Sequence, residues 1–273
     1  MKLRFGLLLL TTLALAALFA PQAAAWLGHD PFTPDLLRRH LPASAEHPLG
    51  TDELGRDLLL RLLHGARVSL AVGIATALAA AIIGTAIGLL AAWRGGVADA
   101  VLMRLADGML ALPALPVLVV LAAADTGRIG LPRGEPLSDI LRIVAILAVF
   151  GWVGVARLAR AAALSVLARD YVRAARALGA SEARVLLRHV APNVAAPVAV
   201  ATTLAVAGAI LAESTLSFLG LGIAPPAASW GNMLSNAQDL VFSAPMAAVW
   251  PGLAILLAVA ACTLVADGLR QRR

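Results

Sequence analysis

Long apolar runs dominate the pattern of hydrophobic and polar positions along the chain. Six stretches reach the roughly 20 mostly apolar residues that a helix needs to cross the hydrocarbon core of a membrane. They lie at about 5–25, 67–92, 105–124, 142–164, 197–219 and 246–267. The pattern therefore predicts an all-α, polytopic membrane protein with about six transmembrane helices.

Glycine and proline modify two of these spans. Gly73, Gly84 and Gly88 in the second span would let another helix approach closely, because small residues favour helix packing in lipid. Pro113 and Pro116 in the third span predict a kink that frees backbone carbonyls.

Composition agrees with a membrane protein and excludes several functions. Of the 273 residues, 60% are hydrophobic and 14% are charged, against near half and about a quarter in soluble domains. Lys2 is the only lysine, so the chain cannot form the GxxxxGK[ST] loop that binds ATP. Cys262 stands alone in an apolar run, which predicts neither a disulfide nor a thiolate metal site.

The net charge of +6 bears on orientation rather than on nucleic acid, because most arginines lie beside apolar spans. The segment from Arg157 to Arg188 contains seven arginines and only two acidic residues, Asp170 and Glu182. This connection is therefore expected to be cytoplasmic. Six spans then place both termini in the cytoplasm, although the outer segment 26–67 is itself rich in arginine. The start of the chain resembles a cleavable signal peptide, but its length favours an uncleaved first span.

The segment RAARALGASEARVLLRHVAPN (173–193) joins spans four and five. Its Ala, Leu, Arg and Glu residues favour helix, and Gly179 is expected to mark a bend between two short helices. Pro192 is expected to end the second of them. The segment would form a basic helical elbow that fits a partner's groove, and the alternative is a solvated loop that only sets topology.

Two outer segments have amphipathic patterns. Residues 47–66 place Leu54, Leu58 and Leu62 on one helical face, with Asp57 and Arg61 spaced to pair. This helix could contact an external partner protein or be purely structural. Residues 230–241 predict a second helix, which would gate the pore or pack against neighbours, with one apolar face of Trp230, Met233, Leu234, Ala237 and Val241.

Polar groups within spans are candidate functional residues. Glu213 lies beside Ser214, Thr215 and Ser217, and would either meet a substrate ammonium or cation on the translocation path or be a partnered structural acid. Arg104 and Asp107 are expected to neutralise each other. The outer histidines lack metal-site spacing and are expected to be solvated; they are His29, His40 and His47. The sequence contains no GxSxG or HExxH motif, and we predict neither a catalytic nor a metal site.

Three stretches carry a family resemblance. HPLGTDELGRDLLLRLLHGARVSLAVG (47–73) resembles the segment before the second span in the dipeptide, oligopeptide and nickel permease branch of ABC importers. AESTLSFLGLGIAPPAASWGNML (212–234) is similar to a later segment of that branch. Residues 173–192 resemble its EAA loop. The matching positions are Ala174, Ala175, Gly179 and Pro192, whereas Arg173, His189 and Ala191 replace the usual Glu, Ile and Leu.

The resemblance implies the permease subunit of a type I ABC importer in the bacterial inner membrane. Residues 1–66 would hold the first span and an extracytoplasmic segment, and 67–273 the permease domain with its coupling loop at about 165–193. The coupling residues would be Arg173, Ala174, Ala175, Gly179, Arg184, Arg188 and Pro192.

The implied partners are a second, related permease subunit, two ATP-binding subunits, an external substrate-binding protein and membrane lipid. The chain itself would bind no cofactor, because ATP and Mg would be used by the ATPase subunits. Short peptides are favoured over nickel as cargo. The alternatives are a secondary transporter, which would want midplane carboxylates and repeated broken helices, and a membrane scaffold without transport.

Overall fold

The computed structural model describes residues 2–124, 132–235 and 244–271 of the chain. Within these ranges the regular elements are helices, apart from an isolated β-bridge between Thr51 and Asp57. The helices are α1 (Lys2–Leu27), α2 (Leu58–Arg94), α3 (Gly96–Ala111), α4 (Ala114–Ala123), α5 (Pro136–Leu167), α6 (Asp170–Ala177), α7 (Glu182–Val185), α8 (Ala191–Phe218) and α9 (Met246–Arg270). The prediction of an all-α membrane protein is confirmed.

Among the described residues, five helical segments are long and apolar enough to cross a membrane. They are α1, α2, α5, α9 and the continuous Glu182–Phe218 that contains α7 and α8. The pair α3 and α4 makes a sixth crossing if it counts as one bent span. Helix α2 begins at Leu58, well before the predicted start at 67, because the carboxylate of Asp57 caps it. This carboxylate accepts from the backbone N–H of Leu60 at 2.8 Å. The helix therefore extends across the predicted domain boundary at 66/67.

The contacts between α2 and α5 show that these two helices run in parallel. Gly84 lies against Trp152 and Val155, and one turn later Gly88 lies against Ala156 and Ala159. Two parallel helices that follow each other along the chain need a return crossing between them. The chain between them contains α3 and α4, and this arrangement supports the six predicted crossings.

Both ends of the described chain lie on one side of the bundle. Leu3 of α1 packs against Gly268 of α9, and Lys2 pairs with Asp267 at 3.6 Å. The C-terminal end of α2 and the segment α6–α7 lie on this same side. We call this side the elbow end. The other side holds residues 28–57, and we call it the loop end.

The third predicted span is broken at Pro113. The residue before it, Leu112, is extended at φ −76° and ψ 138°, as a following proline favours. The axes of α3 and α4 consequently differ by 86°. The proline break is confirmed, and the helical pair begins at Gly96, well before the predicted start of this span at 105. Pro116 lies in the first turn of α4, where a missing N–H removes no helical hydrogen bond.

Small residues let the central helices pack at backbone distance, as the sequence predicted. A Cβ placed on Gly88 would lie 2.4 Å from the carbonyl oxygen of Ala156 and 2.8 Å from the Cβ of Ala159. A Cβ on Gly84 would lie 2.5 Å from the carbonyl oxygen of Trp152. Any side chain at these positions must therefore push α2 and α5 apart.

We expect Gly88→Val to destabilise the bundle, because overpacking a close helix contact costs about 1–3 kcal/mol. The thermal unfolding midpoint of the purified chain in detergent should fall by several degrees. Gly108→Val is the matched control, because Gly108 is also helical but a Cβ there meets nothing within 4 Å. Equal midpoints for the two variants would contradict the close packing.

An ionic network organises the loop end ahead of α2. Asp52 accepts from Arg56 at 2.7 Å and pairs with Arg61 at 3.2 Å, and all three side chains are buried. The predicted pairing of Asp57 with Arg61 is wrong, since Asp57 instead bonds the Nδ1 of His47 at 2.9 Å. The predicted helix over 47–66 is accordingly limited to the part that belongs to α2.

The outer histidines are also more structured than predicted. His47 is buried and its ring stacks on that of His29, with 4.7 Å between ring centroids. The prediction that His47 is solvated is therefore wrong, because Asp57 supplies a partner from ten residues further along the chain.

Candidate functional sites at the two ends of the bundle

The segment between α5 and α8 forms the predicted elbow. Helix α6 ends in a Schellman motif, in which the N–H of Gly179 donates to the carbonyl of Arg176 at 2.9 Å and that of Ala180 to the carbonyl of Ala175 at 3.0 Å. Gly179 adopts φ +85°, a left-handed conformation that glycine tolerates best. Ser181 then caps α7. The predicted bend at Gly179 is confirmed.

The elbow is anchored to the bundle by a small apolar cluster. Val172 of α6 and Val185 of α7 are buried against Ala159 and Ala163 of α5 and against Val194 of α8. One face of the elbow is thereby fixed to the ends of two crossing helices. A force applied to the elbow would be transmitted directly to α5 and α8.

The opposite face of the elbow is basic and exposed. Arg173 pairs with Asp170 within α6, and Arg176 forms two hydrogen bonds to Glu182 across the bend at 2.8 and 2.9 Å. The remaining predicted coupling residues of this face are exposed as well, and they are Ala174, Arg184 and Arg188. Ala175 is half-buried beneath them.

Pro192 does not end the second helix, so that prediction is wrong. The backbone from Leu186 to Val190 forms a π-helical turn, which widens the helix just before the proline. Pro192 then occupies the first turn of α8. The continuous helix Glu182–Phe218 therefore links the elbow directly to a membrane crossing.

Exposed apolar side chains on the elbow were missed by the sequence reasoning. Leu178 at the tip is 89% exposed, Leu187 is 71% exposed and Tyr171 is 47% exposed. The sequence contains no clear signal for them, because an apolar residue that faces solvent looks the same in the sequence as one that faces the bundle. Apolar groups among exposed arginines are typical of a protein contact surface.

Glu213 lies inside the bundle near the loop end and is fully buried. Its carboxylate accepts from the hydroxyl of Ser69 in α2 at 3.0 Å and from that of Ser217 at 2.7 Å. These hydroxyls in turn accept from the backbone N–H groups of Trp230 and Ile223. The carboxylate thus joins α8 and α2 to the segment that follows α8.

Glu213 has the arrangement of the partnered structural acid, with Ser69 and Ser217 as its partners. Ser214 is also buried, and Thr215 donates to the carbonyl of Leu211 within its own helix at 2.8 Å. A role for Glu213, Ser214, Thr215 and Ser217 on the translocation path stays a prediction.

The acidic residues of α3 pair with α5 rather than within their own helix. Asp107 lies 3.2 Å from Arg157, and Asp99 forms a bidentate pair with Arg160. The predicted pair of Arg104 with Asp107 is therefore wrong. Two successive bridges from α3 to α5 place the start of the return crossing beside α5 at the elbow end.

With this geometry established, the family assignment rests on sequence comparison. A profile of the family described as binding-protein-dependent transport system inner membrane component matches residues 84–272. The chain belongs to this family. The matched range contains the elbow, the continuous helix that follows it and Glu213, so both candidate sites of the permease lie within the shared part.

Curated relatives extend the similarity over nearly the whole chain. The permease is 41% identical over 269 residues to the putative peptide transport system permease protein of Brucella suis, covering 98% of this chain and 86% of the relative. It is 42% identical over 272 residues to the di/tripeptide transport system permease protein DppC of Pseudomonas aeruginosa, with 97% and 85% covered. Over 266 residues it is 35% identical to the oligopeptide transport system permease protein OppC of Bacillus subtilis, with 97% and 83% covered.

The loop end contains a second buried ion pair, which the sequence reasoning also missed. Asp139 and Arg142 near the start of α5 lie 3.1 Å apart, and both are almost fully buried. Arg142 donates to the carbonyl of Gly222 at 2.8 Å, and Asp139 accepts from the N–H of Ala224 at 3.1 Å. The pair attaches the segment after α8 to α5.

The predicted gating helix at 230–241 is a short 3-10 turn at Asn232–Leu234, and its part at 236–241 lies outside the described residues.

Proposed function

We propose that this permease forms one half of the transmembrane pore of an importer for short peptides. The family assignment supports a transport permease, and the names of three relatives point to peptides as the cargo. A second, related permease subunit would complete the pore. An external binding protein would deliver the peptide, and two ATP-binding subunits would use ATP and Mg.

The elbow end is assigned to the cytoplasm in this proposal. Seven arginines from Arg157 to Arg188 lie at or near this end, and the positive-inside rule favours the cytoplasm for them. Both termini then lie in the cytoplasm, because Lys2 and Asp267 pair at the same end. The loop end, with residues 28–57, faces the binding protein.

The observation that carries the coupling role is the exposed apolar tip of the elbow. Leu178 projects beside Gly179 with 89% of its surface exposed, although the other face of the elbow is packed onto α5 and α8. A large, exposed apolar side chain on a segment that is packed firmly against the bundle is typical of a residue that fills a pocket of a partner protein. Arg184 and Arg188 would surround this anchor with charge, and the coupling role of Arg173, Ala174, Ala175 and Pro192 belongs to the same proposal.

We expect Leu178→Glu to release the ATPase subunits. Truncating or charging a central apolar anchor typically costs about 2 kcal/mol of binding or more, so copurification should fall by more than about tenfold. Uptake of the dipeptide Leu-Leu by cells that depend on this permease should fall with it. The measurement is the ATP-hydrolysing activity that copurifies with the tagged permease.

Leu37→Glu is the matched control, because Leu37 is 96% exposed but lies at the loop end. Its ATPase recovery should equal that of the unaltered permease. Normal recovery and normal uptake in Leu178→Glu at an unchanged membrane level would refute an ATPase contact at the elbow tip.

A further inference from the structure

A cavity at the loop end is not explained by the coupling role. It has a volume of about 440 Å³ and lies between the start of α2, the start of α5 and the segment after α8. Its walls are mainly apolar, with Val68, Ile140, Pro226 and Ala227 among them. Ligand pockets are typically about 300–1,000 Å³ in volume and mostly apolar with a few converging polar groups.

The walls of this cavity are held in place by contacts among the lining residues and with the neighbouring segments. The side-chain amide of Asn232 donates to the carbonyl of Ala227 at 2.7 Å, which holds one wall. The Asp139–Arg142 pair holds the neighbouring backbone to α5. The ring of Phe32 meets that of His64 edge-on, with 5.1 Å between centroids. The cavity is therefore preformed.

Two basic side chains supply the polar part of the lining. The Nε2 atom of His64 is buried and has no hydrogen-bond partner among the described residues. Arg67, one turn later on α2, lines the same cavity and is exposed. Arg67 is therefore the charged group that this cavity presents to a ligand.

We propose that this cavity binds the C-terminal carboxylate and the apolar last side chain of a short peptide. A guanidinium matches a carboxylate through two parallel hydrogen bonds, and Arg67 supplies this group at the cavity. The apolar walls accommodate the adjoining side chain. The identity of this ligand rests on the proposed function, which brings peptides to the loop end.

The test uses the purified full-length chain and the photoreactive dipeptide alanyl-photoleucine, as the free acid and as the C-terminal amide. The free acid should label residues that line the cavity, and the amide should label them about tenfold less, because charge-assisted hydrogen bonds to the carboxylate are lost. Arg67→Gln should lower labelling by the free acid about tenfold without changing labelling by the amide. Arg67→Lys should retain part of the preference, since it keeps the charge.

Arg39→Gln is the matched control, because Arg39 is an exposed arginine of the loop end that does not line the cavity. Excess Leu-Leu should compete with the label, and the fatty acid decanoate should not. Labelling that ignores both the carboxylate and Arg67 would overturn the proposal, as would stronger competition by decanoate than by Leu-Leu, which would identify a lipid-derived carboxylate.

Failure of this inference is distinguishable from failure of the proposed function. If deletion of the permease abolishes Leu-Leu uptake while labelling does not depend on Arg67, the importer function stands and the cavity assignment is wrong. If deletion leaves peptide uptake unchanged, the proposed cargo is wrong, and the assignment of a peptide to the cavity is withdrawn with it.

Discussion

Gly179→Leu is expected to abolish transport while the permease still reaches the membrane at its normal level. Gly179 adopts φ +85° at the bend of the elbow. A residue with a Cβ pays about 1–2 kcal/mol for such a left-handed conformation. A Cβ there meets no atom of the chain within 4 Å, so the substitution creates no clash inside the permease. The loss of transport must therefore come from a changed bend of the elbow and from a steric clash between the new leucine and the docked ATPase subunit.

Three measurements on the same variant check this expectation. They are Leu-Leu uptake, copurified ATPase activity and the response of that activity to peptide-loaded binding protein. Uptake should fall to background, either because the ATPase subunits are lost or because they no longer respond. Gly179→Asn should retain more uptake than Gly179→Leu, because asparagine tolerates the left-handed conformation.

A glycine at the loop end of the bundle provides a matched control. Gly220 terminates α8 in the same Schellman motif, at φ +74° and with nothing within 4 Å of a Cβ. Gly220→Leu should carry the same backbone strain without affecting ATPase coupling. If Gly179→Leu transports normally at normal abundance, the elbow only sets topology and the coupling role is wrong.

Local signals made the elbow predictable from the sequence. Helix-forming residues on both sides of a single glycine indicated a bend at Gly179, and this residue needs only its immediate neighbours to form the Schellman motif. The small residues Gly84 and Gly88 likewise indicated a close helix contact, because lipid gives little other reason for them. The sequence did not reveal that α5 is the helix that approaches them.

Predictions failed where the outcome depends on distant parts of the chain. The spacing rule paired Asp57 with Arg61, but His47 competes for that carboxylate once the preceding loop folds back. Asp107 similarly prefers Arg157 of a neighbouring helix. Pro192 looked like a helix end, because nothing in the sequence indicates the π-helical turn that accommodates it.

Breaking the buried ion pair Asp139–Arg142 is expected to destabilise the permease strongly. We expect Arg142→Met to destabilise the permease by about 3–5 kcal/mol, because it leaves the carboxylate of Asp139 buried without its cation. The carbonyl of Gly222 also loses its donor, so the segment after α8 should detach from α5. The unfolding midpoint of the purified chain in detergent should fall by about 10 °C.

Arg157→Met tests whether burial is the cause, because it removes an arginine from the same helix α5. Arg157 pairs with Asp107 at 3.2 Å, but both side chains are more than half exposed. Water therefore solvates the acid that remains. The midpoint of this variant should stay close to that of the unaltered permease.

Two further measurements locate the damage in Arg142→Met. Amide hydrogen exchange should rise in residues 219–230 of this variant and not in Arg157→Met. The double substitution Asp139→Leu with Arg142→Met should recover part of the midpoint, since it removes the uncompensated charge. A midpoint in Arg142→Met no lower than in Arg157→Met would mean that the pair does not hold the loop end together.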